Sequence, residues 1–424
     1  MNIYTIGLGI LWWSVIPIFA IIIFVLFLCC SLIFRITHIY SKYEFDTTKH
    51  HHKILLTKII KKNEFNQQYI DVSGVKIHCV IKEPKNVVEN NKTVIFIHGT
   101  ASCSVCFFNV MKQMPDDVKC IAIDLPGFGI SDRIEIEDND EINDTYLKNI
   151  KICEQYADVI GNTLRIMDIN NAFLVGHSLG GMFSVCITSR FPDIISKLLL
   201  VNSAGLLPML GIYGYYWAIF FKLGLPTTLF HIPVISNLIM PFVQFMFCDK
   251  TDLSNFWFMF YNNPENIGHN LLQRFITLNP FYSFWNTPVF MKILETTNKI
   301  YVCYGEHDTI IPSHIGRFIE EITVGRVRTH TIKNVSHNPC HDDVDAFTSY
   351  LYSICKDDDD GVCDNTTYYN KTLCNKIFKP YTSYHSFEST HESIQAQYNK
   401  LYKQIHNKNI HENQMKCIFT ESTQ

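Results

Sequence analysis

The sequence predicts an α/β protein: a mainly parallel sheet with helices on both faces, an inserted helical lid and an N-terminal transmembrane helix. Three observations carry this. Short continuous apolar runs such as Thr93-Val94-Ile95-Phe96-Ile97 alternate with stretches of helical spacing, the rhythm of strands buried on both faces. That rhythm stops between residues 206 and 290, where prolines at 208, 226, 233, 241, 264, 280 and 288 chop an aromatic-rich stretch into short pieces. Residues 1–34 contain no charged side chain. The 424 residues, 47% of them hydrophobic, suffice for one large α/β domain with insertions or for two domains. A net charge of -4 gives no reason to expect a nucleic-acid partner. Fifteen cysteines, an odd number, fit reduced thiols better than a disulfide framework.

In chain order, Ile16–Phe34 is apolar and long enough to span a bilayer as a helix. Trp12 and Trp13 lie where an interfacial aromatic belt would sit. A cleaved signal peptide would want a basic start, a shorter apolar core and a small-residue cleavage site, none of which is present. Lys and Arg are absent before this run, and Arg35, Lys42, Lys49, Lys53, Lys58, Lys61 and Lys62 follow it. The positive-inside rule then puts the rest of the chain in the cytosol. A hairpin in one leaflet, bent at Pro17, is the alternative and would face the same way. His50-His51-His52 reads as an exposed linker tract, and no metal or cofactor is expected.

Tyr69–Val72 and Val75–Ile81, joined at Ser73-Gly74, read as a hairpin. Thr93–Ile97 is a buried strand that ends in His98-Gly99-Thr100, where the glycine allows a sharp turn. Cys120–Asp124 is the next strand, followed by the compact turn Leu125-Pro126-Gly127-Phe128-Gly129-Ile130-Ser131. Tyr146–Met167 has helical spacing. Phe173-Leu174-Val175 leads into Gly176-His177-Ser178-Leu179-Gly180-Gly181, and Leu179–Phe191 is helical up to Pro192. In this strand–turn–helix context Gly-x-Ser-x-Gly has a mechanical meaning. The turn is tight enough to need glycine at 176 and 180, and it lifts the Ser178 hydroxyl to a helix N-terminus, where N–H groups favour an oxyanion. Leu198–Val201 is a further strand. Residues 206–290 carry 21 of the chain's 57 aromatics and few charges, as a lid over an apolar cleft would. Lys299–Cys303 and Arg326–Ile332 resume the strands, with Gly305-Glu306-His307-Asp308 after the first and Ser336-His337 after the second. Val344–Ile354 is the last helix, and the chain turns polar from Lys356.

Thr100, Asp124, Ser178, Asp308 and His337 each lie just after a strand, at the edge where open α/β sheets bind ligands. Ser, then Asp, then His is the order of a catalytic triad on such a sheet. With these motifs the chain resembles the α/β-hydrolase superfamily from about Tyr69 to Ile354. His98-Gly99-Thr100 is similar to its oxyanion loop, Asp124–Ser131 to its Asp-x-Pro-Gly-x-Gly-x-Ser segment and Gly176–Gly180 to its nucleophile elbow. Gly305–Asp308 is similar to its acid loop, and Ser336-His337 to its histidine loop. The resemblance implies Ser178 as nucleophile, His337 as base and Asp308 as its orienting acid, with the N–H groups of Thr100 and Leu179 holding the oxyanion. Serine at 178 disfavours the epoxide-hydrolase and dehalogenase branches, which use Asp there.

His337-Asn338-Pro339-Cys340-His341-Asp342 also fits His-x4-Asp, a pattern resembling lysophospholipases and proposed lysophosphatidic acid acyltransferases. Asp342 is expected to cap the final helix, and His341 is a secondary candidate for the base. Met182 and Phe183 stand where the family prefers small residues, which predicts crowding behind the elbow. The sequons at Asn91, Asn143, Asn334, Asn365 and Asn370 include one that would place a glycan beside His337, which favours a cytosolic catalytic part. The expected organisation is an anchor (1–40), a basic linker (41–68), a core in two parts (69–205 and 291–355), a lid (206–290) and a polar tail (356–424). The expected activity is hydrolysis of acyl esters, lipids above all, at a membrane. An acyltransferase or a catalytically silent scaffold is the alternative. Protein partners are not specified.

Overall fold

The structure, a computed structural model, describes residues 53–54, 56–85, 92–100, 102–134, 145–206, 289, 292, 298–323 and 327–356. All of them lie in the first of the chain's two units, Met1–Tyr368. The apolar run at 16–34, the His50–His52 tract, the segment 207–288 and the tail from 357 are outside the described residues. Among the described residues no helix is long and apolar enough to cross a membrane.

Eight strands form one sheet in the order β1-β2-β4-β3-β5-β6-β7-β8. They are β1 (Asn66–Val72), β2 (Val75–Lys82), β3 (Thr93–Ile97), β4 (Lys119–Ile123), β5 (Ala172–His177), β6 (Ile195–Val201), β7 (Lys299–Gly305) and β8 (Arg328–Ile332). The expected hairpin is β1–β2, antiparallel through Val72↔Val75. β2 also runs antiparallel to β4, and every later pairing is parallel. The central strands are short apolar runs because both faces are covered; all six residues of β5 are buried. Val94, Phe96, Cys120, Ala122, Phe173 and Val175 point into one apolar cluster. Their alternates Ile95, Ile97, Ile121, Ile123 and Leu174 are equally buried on the opposite face. Each Val, Ile, Leu or Phe among them contributes about 1.5–3 kcal/mol by leaving water.

Among the described residues, the main helices after β3 are α1 (Phe108–Gln113), preceded by a 3-10 turn at Ser104–Phe107, then α2 (Thr145–Ile166), α3 (Leu179–Arg190), α4 (His314–Thr323), α5 (Pro339–Asp342) and α6 (Val344–Lys356). α1 and α6 cover the first face, where Phe107, Val110, Met111, Phe347 and Leu351 join the cluster. α3 packs on β5 and β6 and against α2. Residues 56–62, expected as part of a basic linker, are helical, and their Leu56 and Ile60 are buried in the same cluster. The core therefore starts before Tyr69, with Phe65 stacked edge-on against Phe108 at 5.1 Å.

The crowding expected behind the elbow is accommodated. Phe183 stacks flat on Tyr156 at 4.5 Å. Met182 fills the space beside Gly205, where a Cβ would lie 2.6 Å from its Cγ. Among the described residues no disulfide forms. Burial pushes up the thiols of Cys79, Cys103, Cys106, Cys153 and Cys303, and that of Cys120 to about 12, so these serve as small core residues and not as nucleophiles.

Strand order makes the cleft. The chain runs outward from β3 to β4 and then returns to the other side of β3 with β5. The carboxyl ends of β3 and β5 thus flank the point where the winding direction reverses, and an open sheet leaves a crevice there. His98–Thr100 follow one strand and Ser178 the other.

Asp124, buried at the end of β4, holds the loops on one side of this crevice. Its Oδ1 accepts from the Ser104 N–H at 2.7 Å. Its Oδ2 pairs with His78 Nδ1 at 2.8 Å and accepts from the Ile130 N–H at 3.2 Å. Burial alone would raise this carboxyl, but the His78 and His98 rings and the Ser104 N–H outweigh it and hold it down at about 2. A depressed folded-state value means that the carboxylate's contribution is complete above the usual carboxylate range, near 3.8, and is lost as pH falls through about 2. Asp124→Asn sets an NH2 donor against these N–H donors and removes the charge. We expect it to lower stability by about 3 kcal/mol at pH 7, read as a drop in Tm, with the deficit shrinking as pH falls toward 2. A deficit independent of pH down to that point would show that shape, not charge, is what Asp124 supplies.

Candidate active site

Ser178 sits between β5 and α3 with φ 53° and ψ -119°, a left-handed-side backbone conformation that L side chains rarely adopt. The strain is held by main-chain bonds: Ser178 N–H donates to Val201 O at 2.9 Å, and Ser178 O accepts from Gly181 and Ala204, each at 3.0 Å. The two glycines are required as expected. A Cβ on Gly180 would lie 2.3 Å from His98 O, and one on Gly176 would lie 2.4 Å from Ser184 Oγ.

The structure brings together the three residues that the sequence singles out. His337 Nε2 lies 3.0 Å from Ser178 Oγ, and His337 Nδ1 lies 2.8 Å from Asp308 Oδ2. A carboxylate only accepts, so Nδ1 carries the proton and Nε2 faces the hydroxyl with its lone pair. The other oxygen of Asp308 accepts from the N–H groups of Ile310 and Ile311 at 2.8 and 2.9 Å. Asp308 and His337 are 6% and 5% exposed, so their attraction is little screened by water.

The turn that carries Thr100 is arranged by a histidine. His98 is fully buried, and its Nε2 accepts from the Leu125 N–H at 3.0 Å. Its Nδ1–H therefore donates to Gly99 O, at 2.8 Å. Burial lowers its basicity and keeps the ring neutral, against the opposing pull of Asp124. Because the Gly99–Thr100 peptide is planar and trans, a carbonyl turned toward His98 turns the Thr100 N–H away from it. Gly99 packs directly on Ser178, where a Cβ on the glycine would be 2.8 Å from the serine Cβ. Leu179 is the first residue of α3. Both peptide N–H groups expected at the oxyanion thus belong to residues next to this contact.

The secondary candidates take other roles. His337, not His341, reaches Ser178. Asp342 does not cap the final helix. Asp343 does, its Oδ1 accepting from Ala346 N–H at 3.0 Å, while Asp342 Oδ2 turns back to accept from Ser336 N–H at 2.9 Å. The spacing in His-x4-Asp thus places the carboxylate under the histidine loop, because the single turn of α5 reverses the chain between them.

One participant was not legible in the sequence. Asn202, fully buried at the end of β6 with φ 43°, donates through Nδ2 to Asp308 Oδ2, the same oxygen that His337 uses. Its Oδ1 accepts from Gly305 N–H at 3.3 Å. The signal was available only as a polar residue directly after a buried strand, in register with the ends of β5 and β7.

A mainly parallel sheet carrying Ser, His and Asp at its carboxyl edge, in this geometry, defines an α/β-hydrolase. The sequence profile of the alpha/beta hydrolase fold matches residues 92–344, more than half of the chain, and the chain belongs to that family. A 143-residue stretch is 33% identical to 2-(acetamidomethylene)succinate hydrolase of Mesorhizobium japonicum, covering 34% of this chain and 45% of that protein. The chain thus spans less than half the length of this curated relative. Among solved structures it resembles a membrane phospholipase A described as a bacterial virulence factor, with TM-score 0.53 and 14% identity over 75% of this chain and 94% of that one. It also resembles a putative lipase of Acinetobacter baumannii, with TM-score 0.52 and 16% identity over 71% and 95%. At such identities the likeness is one of fold.

Proposed function

We propose that the chain is a membrane-anchored serine hydrolase that cleaves acyl esters of lipids through an acyl-serine intermediate. The observation that carries the chemistry is the continuous contact from Ser178 Oγ through the His337 ring to Asp308, at 3.0 and 2.8 Å. Ser178 Oγ attacks the ester carbonyl carbon while His337 Nε2 takes its proton. The N–H groups of Thr100 and Leu179 receive the oxyanion. His337 returns the proton to the departing alkoxide, and water then cleaves the acyl-serine by the same route in reverse. Asp308 keeps the Nδ1–H tautomer and stabilises the imidazolium.

The lipid and membrane parts rest on the sequence. The aromatic segment at 206–290 would lid the cleft, and the run at 16–34 would anchor the chain with its catalytic part in the cytosol. The acyltransferase alternative gains nothing from Asp342, whose carboxylate is taken by the Ser336 N–H. The test uses the full chain in detergent with p-nitrophenyl esters of increasing acyl length. An apolar cleft recovers up to about 0.8 kcal/mol per buried methylene, so kcat/KM is expected to rise at least tenfold from butyrate to decanoate. A flat or falling series leaves an esterase and removes the lipid. Acyl-labelled lysophospholipid, with and without a lysolipid acceptor, separates hydrolysis from transfer. Free fatty acid is the expected product in both.

A further inference from the structure

The backbone that carries His337 is gripped at successive peptide groups. Val335 O accepts from His307 N–H at 2.8 Å, Ser336 N–H donates to Asp342 at 2.9 Å and Ser336 O accepts from Asn202 Nδ2 at 3.4 Å. His337 O is held by a different element: His177 Nε2 lies 2.7 Å from it. His177 is the residue before the nucleophile, and it is 5% exposed. Its ring lies 5.1 Å from the His337 ring, centroid to centroid. A Cβ on Gly99 would lie 3.2 Å from its Nδ1, so the ring is wedged between the oxyanion loop and the histidine loop.

We propose that His177 is a positioning residue for the general base: by donating Nε2–H to the His337 carbonyl, it fixes the histidine loop relative to the nucleophile elbow and holds the His337 ring in reach of Ser178. This rests on the serine-hydrolase reading above and deepens it. A carbonyl can only accept, so the proton of His177 belongs on Nε2 and its Nδ1 lone pair lies against Gly99. Burial, then the neighbouring His337 and more weakly His341, push the His177 value down to about 3, against the upward pull of the His337 carbonyl and Asp308. The ring is therefore neutral wherever the enzyme works, and it does not compete for the serine proton. It also joins the two loops that carry Ser178 and His337 without passing through the reacting atoms. An apolar side chain of similar size would fill the space and leave the His337 carbonyl without its donor. The His337 peptide could then rotate, and misplacing a reacting group by about 1 Å costs on the order of 100-fold in rate.

The test compares His177→Leu with His177→Gln in the full chain, with p-nitrophenyl butyrate as soluble substrate and thermal melting as the check on folding. Gln carries an N–H donor near the place of the ring Nε2, whereas Leu has none. His177→Leu is expected to lower kcat about 100-fold with KM within about twofold, and His177→Gln to recover to within about fivefold of wild type. Equal losses in the two variants, a Leu variant within about threefold of wild type, or a loss confined to KM would each overturn the proposal. Should the Leu variant not fold, nitrogen NMR of histidine-labelled wild-type protein decides. The resonance that disappears in His177→Gln must report a neutral Nε2–H ring from pH 5 to 9, and a titrating or Nδ1–H ring would sink the idea. That spectrum is informative whether or not the protein turns over. Wild-type protein that ignores a fluorophosphonate overturns the hydrolase reading itself, whereas a reactive wild type with an indifferent Leu variant overturns only the role of His177.

Discussion

Ser178→Ala is expected to abolish fluorophosphonate labelling and to reduce ester turnover on the order of 10⁵-fold while the protein remains folded. The rate loss follows because the hydroxyl removed is the one that lies 3.0 Å from His337 Nε2. The survival of the fold follows from the way the elbow is built. Its strained backbone is held by main-chain bonds to Val201, Gly181 and Ala204, and none of them uses the hydroxyl. Residual activity would come from substrate binding and the oxyanion N–H groups. A companion variant sharpens the test. Glycine adopts φ 53° without a Cβ penalty, so Ser178→Gly should be equally inactive yet more stable than wild type by about 1 kcal/mol, visible as a higher Tm. Labelling that persists in Ser178→Ala would place the nucleophile elsewhere. A large fall in Tm would mean that the hydroxyl serves the fold.

Asp308→Asn is expected to reduce kcat on the order of 10⁴-fold with little change in KM. The carboxylate accepts from four donors: His337 Nδ1 and Asn202 Nδ2 on one oxygen, and the N–H groups of Ile310 and Ile311 on the other. A carboxamide cannot replace it in either orientation. With its NH2 toward His337, the ring must accept at Nδ1, its proton moves to Nε2, and it can no longer take the serine proton. With its NH2 toward the Ile310 and Ile311 N–H groups, donors face donors and the acid loop must shift. Steady-state kinetics on a soluble ester would measure the loss. Histidine NMR would show whether the His337 tautomer has changed. A variant within about tenfold of wild type would mean that Asn202 and the loop orient His337 without the charge, and the triad would reduce to a dyad.

Ser178 and Asp308 could be read from the sequence because each follows an apolar run that is long enough to be a buried strand, whereas His337 follows the polar, half-exposed strand β8 and stands out only by its place after Ser and Asp in chain order. Strands end where they must whatever lies beside them, and in an α/β sheet the carboxyl ends face one edge. Other parts had no such local signal. The 3-10 turn and α1, Ser104–Gln113, have no side-chain cap at their N-termini and are built from Val, Cys, Phe and Met, which a chain uses equally in strands. Residues 56–62 read as a charged linker because Lys58, Lys61 and Lys62 are interleaved with Leu56, Ile59 and Ile60, the three residues that seat them on the core. Asp342 was misplaced for a related reason. It and Asp343 are both acidic residues just before a helix, and only the turn of α5 decides which one caps and which one folds back.

Residue order alone indicated the alternation of strand and helix and the tight turn at the elbow, because those depend on side-chain size, glycine and periodicity within a few residues, and the order Ser, Asp, His after successive strands pointed to the set that the fold brings together. Tertiary structure decided how the set is held. His177 meets the carbonyl of a residue 160 positions away, and Asn202 meets a carboxylate 106 positions away. Those contacts exist because strand pairing sets β5, β6, β7 and β8 in succession, which brings the loops after them to one edge. A hydrogen bond needs its partners within about 3 Å, and no local preference of the chain specifies a distance between residues so far apart. The order of the strands does, and strand order follows from burying the apolar runs on both faces at once.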